Sequence, residues 1–292
     1  MNVVAIVQAR TGSTRLPGKV MYPLRGVPAV TRVASRAERA EQVDRVVVAT
    51  TDARRDDVIE RAATRLGVDT FRGAEDDVLG RTTAAAREVG ADVIVRIAGD
   101  CPLVSPRVVD ATVARLEEAK ADYAANKIDR SFPLGLDVEA VSAASLERVS
   151  DLASAACDRE HVTTYYRSHP DQFALANLPS EAVFEEPRFR GRTDLRVVLD
   201  EAADYALLSR VYDDLGDDPT VPVVIDHIDA HDFGRLNAHL DRPNEDSEAG
   251  REANVGTTRT EEADRTDGER RVDAERQTDA EGRTGADGGH SD

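Results

Sequence analysis

Short, continuous apolar runs alternate with amphipathic stretches through the first 240 residues of the chain. The apolar runs are VVAIV (3–7), VVVAT (46–50), VDTF (68–71) and VIVRIA (93–98). Helical periodicity lies between them, in PAVTRVASRAERA (28–40) and in RRDDVIERAATRLG (54–67), which ends at a glycine suited to a helix C-terminus. Strands buried on both faces need continuous apolar runs. The alternation therefore predicts an α/β domain with a mostly parallel sheet flanked by helices.

The pattern stops near residue 240. From 241 to 292, Val255 and Val272 are the only branched aliphatic residues, and no aromatic residue occurs. Such a segment buries too little apolar surface to offset the entropy of ordering it. We therefore predict a folded domain over 1–240 and a disordered acidic tail over 241–292, most simply a solvated spacer, with partner binding as the alternative.

Composition narrows the function. A net charge of −18 argues against a nucleic-acid binder, because phosphate backbones select a basic surface. No apolar run approaches the length of a membrane span, and the first residues lack the features of a signal peptide, so we expect a cytoplasmic protein without a membrane partner. Two cysteines without a CxxC pair give no basis for a disulfide framework or a zinc site.

The segment QARTGSTRLPGKV (8–20) follows the first apolar run and resembles a phosphate-binding loop. It differs from a Walker A loop in two ways: Gly12 and Gly18 enclose five residues instead of four, and Val20 replaces the hydroxyl residue that binds magnesium. Small residues still let backbone amides approach an anion. A surface turn with solvated arginines is the alternative. The basic residues that could neutralise a polyphosphate are Arg10, Arg15 and Lys19.

A polyphosphate loop without a metal ligand needs carboxylates from elsewhere, because Mg²⁺ is usually held by one or two carboxylates and phosphate oxygens. Asp100 follows the run at 93–98, at the edge of the sheet where ligands gather. The apolar run 197–199 delivers Asp200 to what we predict is an analogous strand end, with Asp204 one helical turn later. Both Asp100 and Asp200 are candidate Mg²⁺ ligands, with helix N-capping as the alternative.

A second metal candidate is DHIDAHD (226–232), which places His227 and His231 four residues apart, as in HxxxH sites. It lacks the glutamate of HExxH. We expect Asp226 and Asp229 to be turn or cap residues of a polar segment.

Several motifs resemble, in order and spacing, the cytidylyltransferase family that activates acidic sugars, including the CMP-KDO and acylneuraminate synthetases. The similarity is strongest to the branch named after spore coat polysaccharide biosynthesis protein F, and it covers about residues 3–240. The motifs are IVQARTGSTRLPGKV (6–20), VVVATT (46–51), FRGAEDDVLGR (71–81), VRIAGDCPLV (95–104), PLGLDVE (133–139) and REHVTTYY (159–166).

The resemblance implies a Rossmann-like fold of the nucleotide-diphospho-sugar transferase type, with a small sugar-binding and dimerisation subdomain. It implies transfer of CMP from CTP to a sugar acid with release of pyrophosphate, a Mg²⁺ cofactor and a homodimer. Arg10, Lys19 and Asp100 take the catalytic positions, and Asp100 and Asp200 those of the metal ligands. The implied nucleotide-binding residues are Gln8, Ala9, Arg10, Gly12, Ser13, Arg15, Lys19, Arg72, Gly73, Asp76 and Arg81, with Asp77 in the same motif.

For the sugar pocket, the resemblance implies Asp137, Glu139 and His161. The structural alternative is that Glu160, His161 and Thr163 cap and brace a helix.

The chain departs from the family in two places. DEAADY (200–205) replaces a pattern like DTPEDL, which weakens the assignment of Asp200, and Ala98 replaces a common polar residue. Two other functions therefore stay open: a nucleotide-binding module without turnover, and transfer of a nucleotide to a sugar phosphate.

Overall fold

The computed structural model describes residues 1–240, and the predicted tail at 241–292 lies outside these described residues. The strands are β1 (Val3–Gln8), β2 (Pro23–Leu24), β3 (Val27–Pro28), β4 (Arg45–Thr51), β5 (Asp69–Gly73), β6 (Val93–Ala98), β7 (Tyr123–Ala125), β8 (Glu139–Ser142) and β9 (Leu175–Asn177). Within the described range, seven of them form one sheet in the order β5-β4-β1-β6-β8-β7-β9, while β2 and β3 form a separate hairpin.

Helices occupy the connections between these strands. They are α1 (Ala29–Ala37), α2 (Asp57–Leu66), α3 (Val78–Glu88), α4 (Pro106–Glu118), α5 (Ala143–Leu152), α6 (Ala156–His161), α7 (Thr164–Ser168), α8 (Ala202–Leu215) and α9 (Val221–His231). Helix α2 ends as its sequence predicts, because Gly67 adopts a left-handed φ of +84°. None of the helices in residues 1–240 combines the length and apolar character required to span a membrane.

The half of the sheet formed by β5, β4, β1 and β6 is parallel, which confirms the predicted strand pattern. In the centre, Gln8 of β1 lies beside Ala49 of β4 and Ala98 of β6, so the three strands end at one level. Beyond β6, the antiparallel strand β8 and then β7 and β9 extend the sheet. Segments that leave β1, β4 and β6 therefore emerge together at one edge.

Both faces of the sheet are covered by apolar residues. On β1, Val4 and Ile6 belong to a cluster with residues of α3 and α5, while Val3, Ala5 and Val7 belong to a second cluster with residues of α1, α4, α8 and α9. Successive side chains of a strand point to opposite faces, so β1 must be apolar at every position from Val3 to Val7. This double burial explains the continuous runs in the sequence.

One predicted strand is different in the structure. Among the described residues, the apolar run 197–199 belongs to no strand of the sheet, and the residue before it, Arg196, forms an isolated parallel bridge with Leu134. Val197 donates to the carbonyl of Leu134 at 2.7 Å. A short apolar run predicts burial and extension, but it does not determine whether a neighbouring strand is present to form a ladder.

This segment passes so close to Gly135 that a side chain has no room there. Gly135 has a φ of +104°, and a Cβ on it would lie 2.3 Å from the backbone nitrogen of Val198. We expect Gly135→Ala to lower the free energy of unfolding by at least about 2 kcal/mol, because it adds a backbone clash to an unfavourable φ. Urea unfolding measures the change.

Gly191→Ala is the matched control, since Gly191 has a φ of +62° but no heavy atom within 4 Å of an added Cβ. It should cost about 1 kcal/mol. Equal losses in the two variants would contradict the close approach at Gly135.

Candidate active site

The loop of residues 9–18 leaves β1 at the carboxyl edge of the sheet and is fixed by bonds to one threonine. Thr11 donates from its backbone N–H and its hydroxyl to Asp56 Oδ1, at 2.8 and 2.6 Å. The Thr11 carbonyl accepts from the N–H groups of Ser13 and Gly18, both at 2.9 Å. Asp56 is fully buried, so it anchors the loop from beneath.

Lys19 lies between the two predicted metal ligands. Its Nζ donates to Asp100 Oδ2 at 2.5 Å and to Asp200 Oδ1 at 2.7 Å. Arg15 contacts the other oxygen of Asp200, Oδ2, at 2.8 Å. Lys19 and Asp200 are 13% and 10% exposed in their side chains, whereas Arg15 is 61% exposed. The structure thus brings four predicted residues from distant parts of the chain into one ion cluster.

The protonation states in this cluster follow from burial and charge. Burial lowers the pKa of Lys19, but the charges of Asp100 and Asp200 outweigh it, so the pKa is above its ordinary value. Burial raises the pKa of Asp200, and the charges of Lys19 and Arg15 outweigh that effect, so this pKa is below its ordinary value. Near neutral pH the cluster therefore contains the Lys19 ammonium bound to the ionised carboxylate of Asp200.

The backbone explains how the two carboxylates meet. Asp100 follows β6 directly, and Gly99 packs against β1's exit, where an added Cβ would lie 2.9 Å from Ala9 Cβ. The N–H of Leu199 donates to the carbonyl of Asp100 at 2.8 Å, which places the next residue, Asp200, beside it. Asp200 thus reaches the site although no ladder strand delivers it.

Neither aspartate is a helix N-cap. Helix α4 has Ser105 at its N-cap, and α8 has Glu201, which forms a capping box with Asp204. The capping box replaces the Thr-Pro start that the family pattern has at this point, so the departure at 200–205 does not displace the Asp200 carboxylate from Lys19.

The donor set fits a magnesium ion that is shared with a substrate. Asp100 and Asp200 converge on one cationic group, the Lys19 ammonium, which binds one oxygen of each carboxylate. Within residues 1–240 no group of three or more His, Cys, Asp or Glu residues could hold a metal. Two carboxylates with phosphate oxygens and waters are a usual Mg²⁺ environment. Asp100 and Asp200 are therefore suitable ligands only when a phosphate completes the shell.

Arg10 and Gln8 lie on the other side of the loop. The guanidinium of Arg10 is within 3.6 Å of Glu75 and 3.5 Å of Glu160. Gln8 accepts a hydrogen bond from Arg96 Nε at 2.8 Å. Arg10 is thus held between two partly exposed carboxylates. The other predicted residues of this loop are Ala9, Gly12 and Ser13.

Arg72 has partners that lie within the fold. Its Nε and NH2 donate to the carbonyls of Thr51 and Ala53, both at 2.9 Å. Its NH1 donates to Asp57 and Glu60, at 2.7 and 2.8 Å. Arg72 therefore joins β5 to the residues after β4 and to α2, and its predicted contact with a nucleoside stays a prediction.

The rest of the FRGAEDDVLGR motif surrounds the N-terminus of α3. Asp77 is its N-cap, and Asp76 is exposed. Arg81 is 4% exposed and donates to backbone carbonyls of the loop before the helix, while Gly73 leaves space for its stem. The motif thus builds the wall next to Arg10, and its nucleotide-binding role stays a prediction.

Two residues predicted for the sugar pocket, Asp137 and His161, are half-buried. Asp137 pairs with Arg130 through two bonds of 2.6 and 2.9 Å. His161 ends α6 and precedes Val162, which adopts a φ of +59°.

The third, Glu139, is enclosed and has a side chain only 3% exposed. It accepts hydrogen bonds from Tyr123 at 2.7 Å and Thr163 at 2.6 Å, and it forms ion pairs with Arg96 and Lys127. Burial raises the pKa of Glu139, but the neighbouring cations, Arg96 first, outweigh it and hold the pKa well below its usual range. Thr163 therefore braces Glu139 on β8, and it makes no side-chain cap bond to α7, unlike the helix-bracing role of the structural alternative.

The HxxxH pair lies on α9, with its ring centroids 4.3 Å apart. His227 pairs with Asp214 at 3.1 Å, and His231 Nδ1 is 2.9 Å from the carbonyl of His227. Asp226 and Asp229 are inside the helix, so their expected placement in a turn was wrong, and both pair with arginines. The buried apolar residues of α9 recur every three or four positions, which is the spacing of a helix, and each aspartate directly follows one of them.

Sequence reasoning missed several residues that hold the predicted ones in place. Arg96 and Arg196 interrupt apolar runs, and a charged residue inside such a run indicates a buried ion pair. The sequence therefore contained a signal for these two arginines. Asp56 and Asn237 were also missed, and no local sequence feature distinguishes them.

A cationic loop after the first strand, facing carboxylates at the edge of a mainly parallel sheet, defines a nucleotidyltransferase-like fold. The sequence model of the cytidylyltransferase family matches residues 4–214. The chain belongs to this family, as its motifs predicted.

Related proteins support the same conclusion. The chain is 33% identical over 225 residues to spore coat polysaccharide biosynthesis protein SpsF of Bacillus subtilis, covering 75% of this chain and 90% of that protein. It is 39% identical over 123 residues to a 3-deoxy-manno-octulosonate cytidylyltransferase of Geobacter sulfurreducens, covering 41% and 48%. The solved structure of a cytidylyltransferase from Leptospira borgpetersenii has a TM-score of 0.75 and 28% identity, covering 83% of this chain and 99% of that one.

The enclosed Glu139 makes a prediction for stability. Glu139→Gln leaves Arg96 and Lys127 without their buried carboxylate, so we expect the free energy of unfolding at pH 7 to fall by about 3–5 kcal/mol. Because the folded pKa is depressed, this contribution is fully present above the ordinary value of 4.5 and is lost as pH falls through the folded pKa. The difference between the two proteins should therefore narrow below about pH 4.5, which chemical unfolding across pH measures.

Glu147→Gln is the control, because Glu147 forms an exposed ion pair with Arg87 at 3.2 Å. It should change stability by less than about 1 kcal/mol. A small effect at Glu139, or a pH-independent one, would contradict the buried network.

Proposed function

We propose that the protein is a Mg²⁺-dependent cytidylyltransferase that transfers CMP from CTP to an acidic sugar, with release of pyrophosphate, for polysaccharide or surface glycan synthesis. The observation that carries the proposal is the meeting of Lys19 and Arg15 with Asp100 and Asp200 at the carboxyl edge of the sheet. Family membership supports the reaction class, and the cytidylyltransferase relative supports an acidic sugar acceptor.

The chemistry requires charge stabilisation more than proton transfer. An oxygen of the acceptor attacks the α-phosphorus of CTP, and negative charge develops on the phosphate oxygens and on pyrophosphate. A magnesium ion held by Asp100 and Asp200 would neutralise part of that charge. Lys19 and Arg15 present fixed positive charge from the same loop, and preorganised charge of this kind stabilises a transition state effectively. In this proposal Asp100 is a ligand and not a base.

The remaining assignments belong to the same proposal. The loop residues and the motif around α3 bind the nucleotide. Asp137 and His161 face the acceptor, while Glu139 supports the pocket through Arg96. A homodimer, a cytoplasmic location and a tail that takes no part in catalysis complete the proposal.

The direct test is incubation of the purified full chain with CTP, Mg²⁺ and a panel of acids that includes 3-deoxy-manno-octulosonate and N-acetylneuraminate. We expect pyrophosphate release and a CMP-sugar, identified by mass spectrometry, with at least one acid. ATP, GTP and UTP are compared with CTP, and EDTA should abolish turnover. CTP binding without product would support a module without turnover, and activity only on sugar 1-phosphates would support the other alternative.

Lys19 gives the test of the site. Lys19→Met removes the ammonium and keeps a long side chain, so we expect kcat/KM to fall about 10²–10³-fold, as when one preorganised donor of a transition state is lost. Pyrophosphate release measures it. Lys120→Met is the control, because this exposed lysine follows α4 and should leave kcat/KM unchanged. Full activity of the Lys19 variant would rule out this assignment.

A further inference from the structure

Asp204 is fully buried and holds Asp200 in place without contacting Lys19. Its Oδ2 accepts from the backbone N–H of Asp200 at 3.1 Å and from that of Glu201 at 2.9 Å. Arg196 donates to both oxygens of Asp204, at 2.9 and 3.0 Å, and reaches Asp200 Oδ2 at 3.3 Å. The position of Asp200 therefore depends on the orientation of the Asp204 carboxylate.

Asn237 completes this network from the far end of the described chain. It is 3% exposed, and its Nδ2 donates to Asp204 Oδ1 at 2.8 Å and to the carbonyl of Arg196 at 2.9 Å. Both amide hydrogens of Asn237 are used, so this side chain links Asp204 to the backbone of Arg196, four residues before Asp200. The family model ends at residue 214, and Asn237 lies beyond it.

Aromatic contacts fix the segment that carries Asn237. Phe233 begins the 3-10 helix Phe233–Leu236, and its ring centroid lies 5.4 Å from that of His227 and 5.2 Å from that of His231. The Phe233 ring thus packs against the two histidines of α9. A single 3-10 helix connects Phe233 to Asn237, so the position of the Phe233 ring fixes the position of the Asn237 amide.

We propose that Asn237 is a positioning residue of the metal site, which holds Asp200 in register by fixing Asp204 and Arg196. The inference rests on the proposed function, because only there is Asp200 a metal ligand. Partners of metal ligands commonly change metal affinity 10–100-fold when they are removed. Loss of the Asn237 amide leaves Asp204 Oδ1 with one donor fewer and frees the carboxylate to turn away from the Asp200 N–H.

The test compares Asn237→Ala with the unchanged full chain by titrating Mn²⁺ in the presence of CTP and without acceptor. Water-proton relaxation reports Mn²⁺ bound to the protein. We expect Mn²⁺ to bind about tenfold more weakly, while CTP binding in EDTA stays unchanged. We also expect the Mn²⁺ concentration for half-maximal turnover to rise by the same factor, with kcat recovered at saturating Mn²⁺.

Asn126→Ala is the matched control. Asn126 is fully buried and also uses its side chain for two backbone bonds, to Leu136 and Val138, but it does not contact Asp204. We expect a similar loss of unfolding free energy from both variants, and weaker Mn²⁺ binding from Asn237→Ala alone.

Each result has one meaning. A folded Asn237→Ala protein with unchanged Mn²⁺ affinity would overturn the inference, and so would equal weakening in both variants. If Asn237→Ala does not fold, Asn237→Leu, which keeps a similar side-chain size and has no donor, carries the same comparison. Failure of the unchanged chain to bind Mn²⁺ with CTP or to form product would count against the proposed function instead.

Discussion

The bridge that Lys19 makes between Asp100 and Asp200 is the interaction on which the site depends. Negative charge on two carboxylates that converge in a largely buried position is repulsive, and the repulsion is strong where water is scarce. The Lys19 ammonium removes it, at 2.5 and 2.7 Å from the two groups. Because Lys19 follows β1, Asp100 follows β6 and Asp200 precedes α8, the same cation holds three separate parts of the chain at one point.

The surrounding ion pairs repeat this principle. Glu139 is matched by Arg96 and Lys127, and Asp204 by Arg196, each in a position almost without solvent contact. Leaving any of these charges alone would cost several kcal/mol. The chain as a whole has a net charge of −18, but each of these buried carboxylates is paired with a cation. A negative net charge therefore does not prevent Arg15 and Lys19 from presenting positive charge at the edge of the sheet.

The sequence was informative where burial alone determines structure. The parallel strands follow from continuous apolar runs, and Asp100 follows from its place at the end of one of them. The segment before Asp200 was harder, because an apolar run does not show whether a partner strand is present, and here Leu134 supplies only a bridge. For Arg72 the motif gave the position but not the rotamer, which is decided by nearby acceptors at Asp57 and Glu60. Asn237 gave no signal at all, since its partners lie 33 and 41 residues away.

The cations of the site fall into two groups by side-chain exposure, and the groups differ in how readily they can change partners. Arg196 and Lys19 are 3% and 13% exposed in their side chains. Moving Arg196 away would leave the buried Asp204 without its cation, and moving Lys19 away would leave Asp100 without its cation. Arg15 and Arg10 are 61% and 39% exposed, and they contact carboxylates that water can also solvate or that keep another cation. The exposed pair can exchange these contacts for phosphate oxygens at little cost, because one anionic partner replaces another. In the proposed function, polyphosphate binding at this edge thus needs movement only of the outer arginines, while the inner cations keep the carboxylates in place.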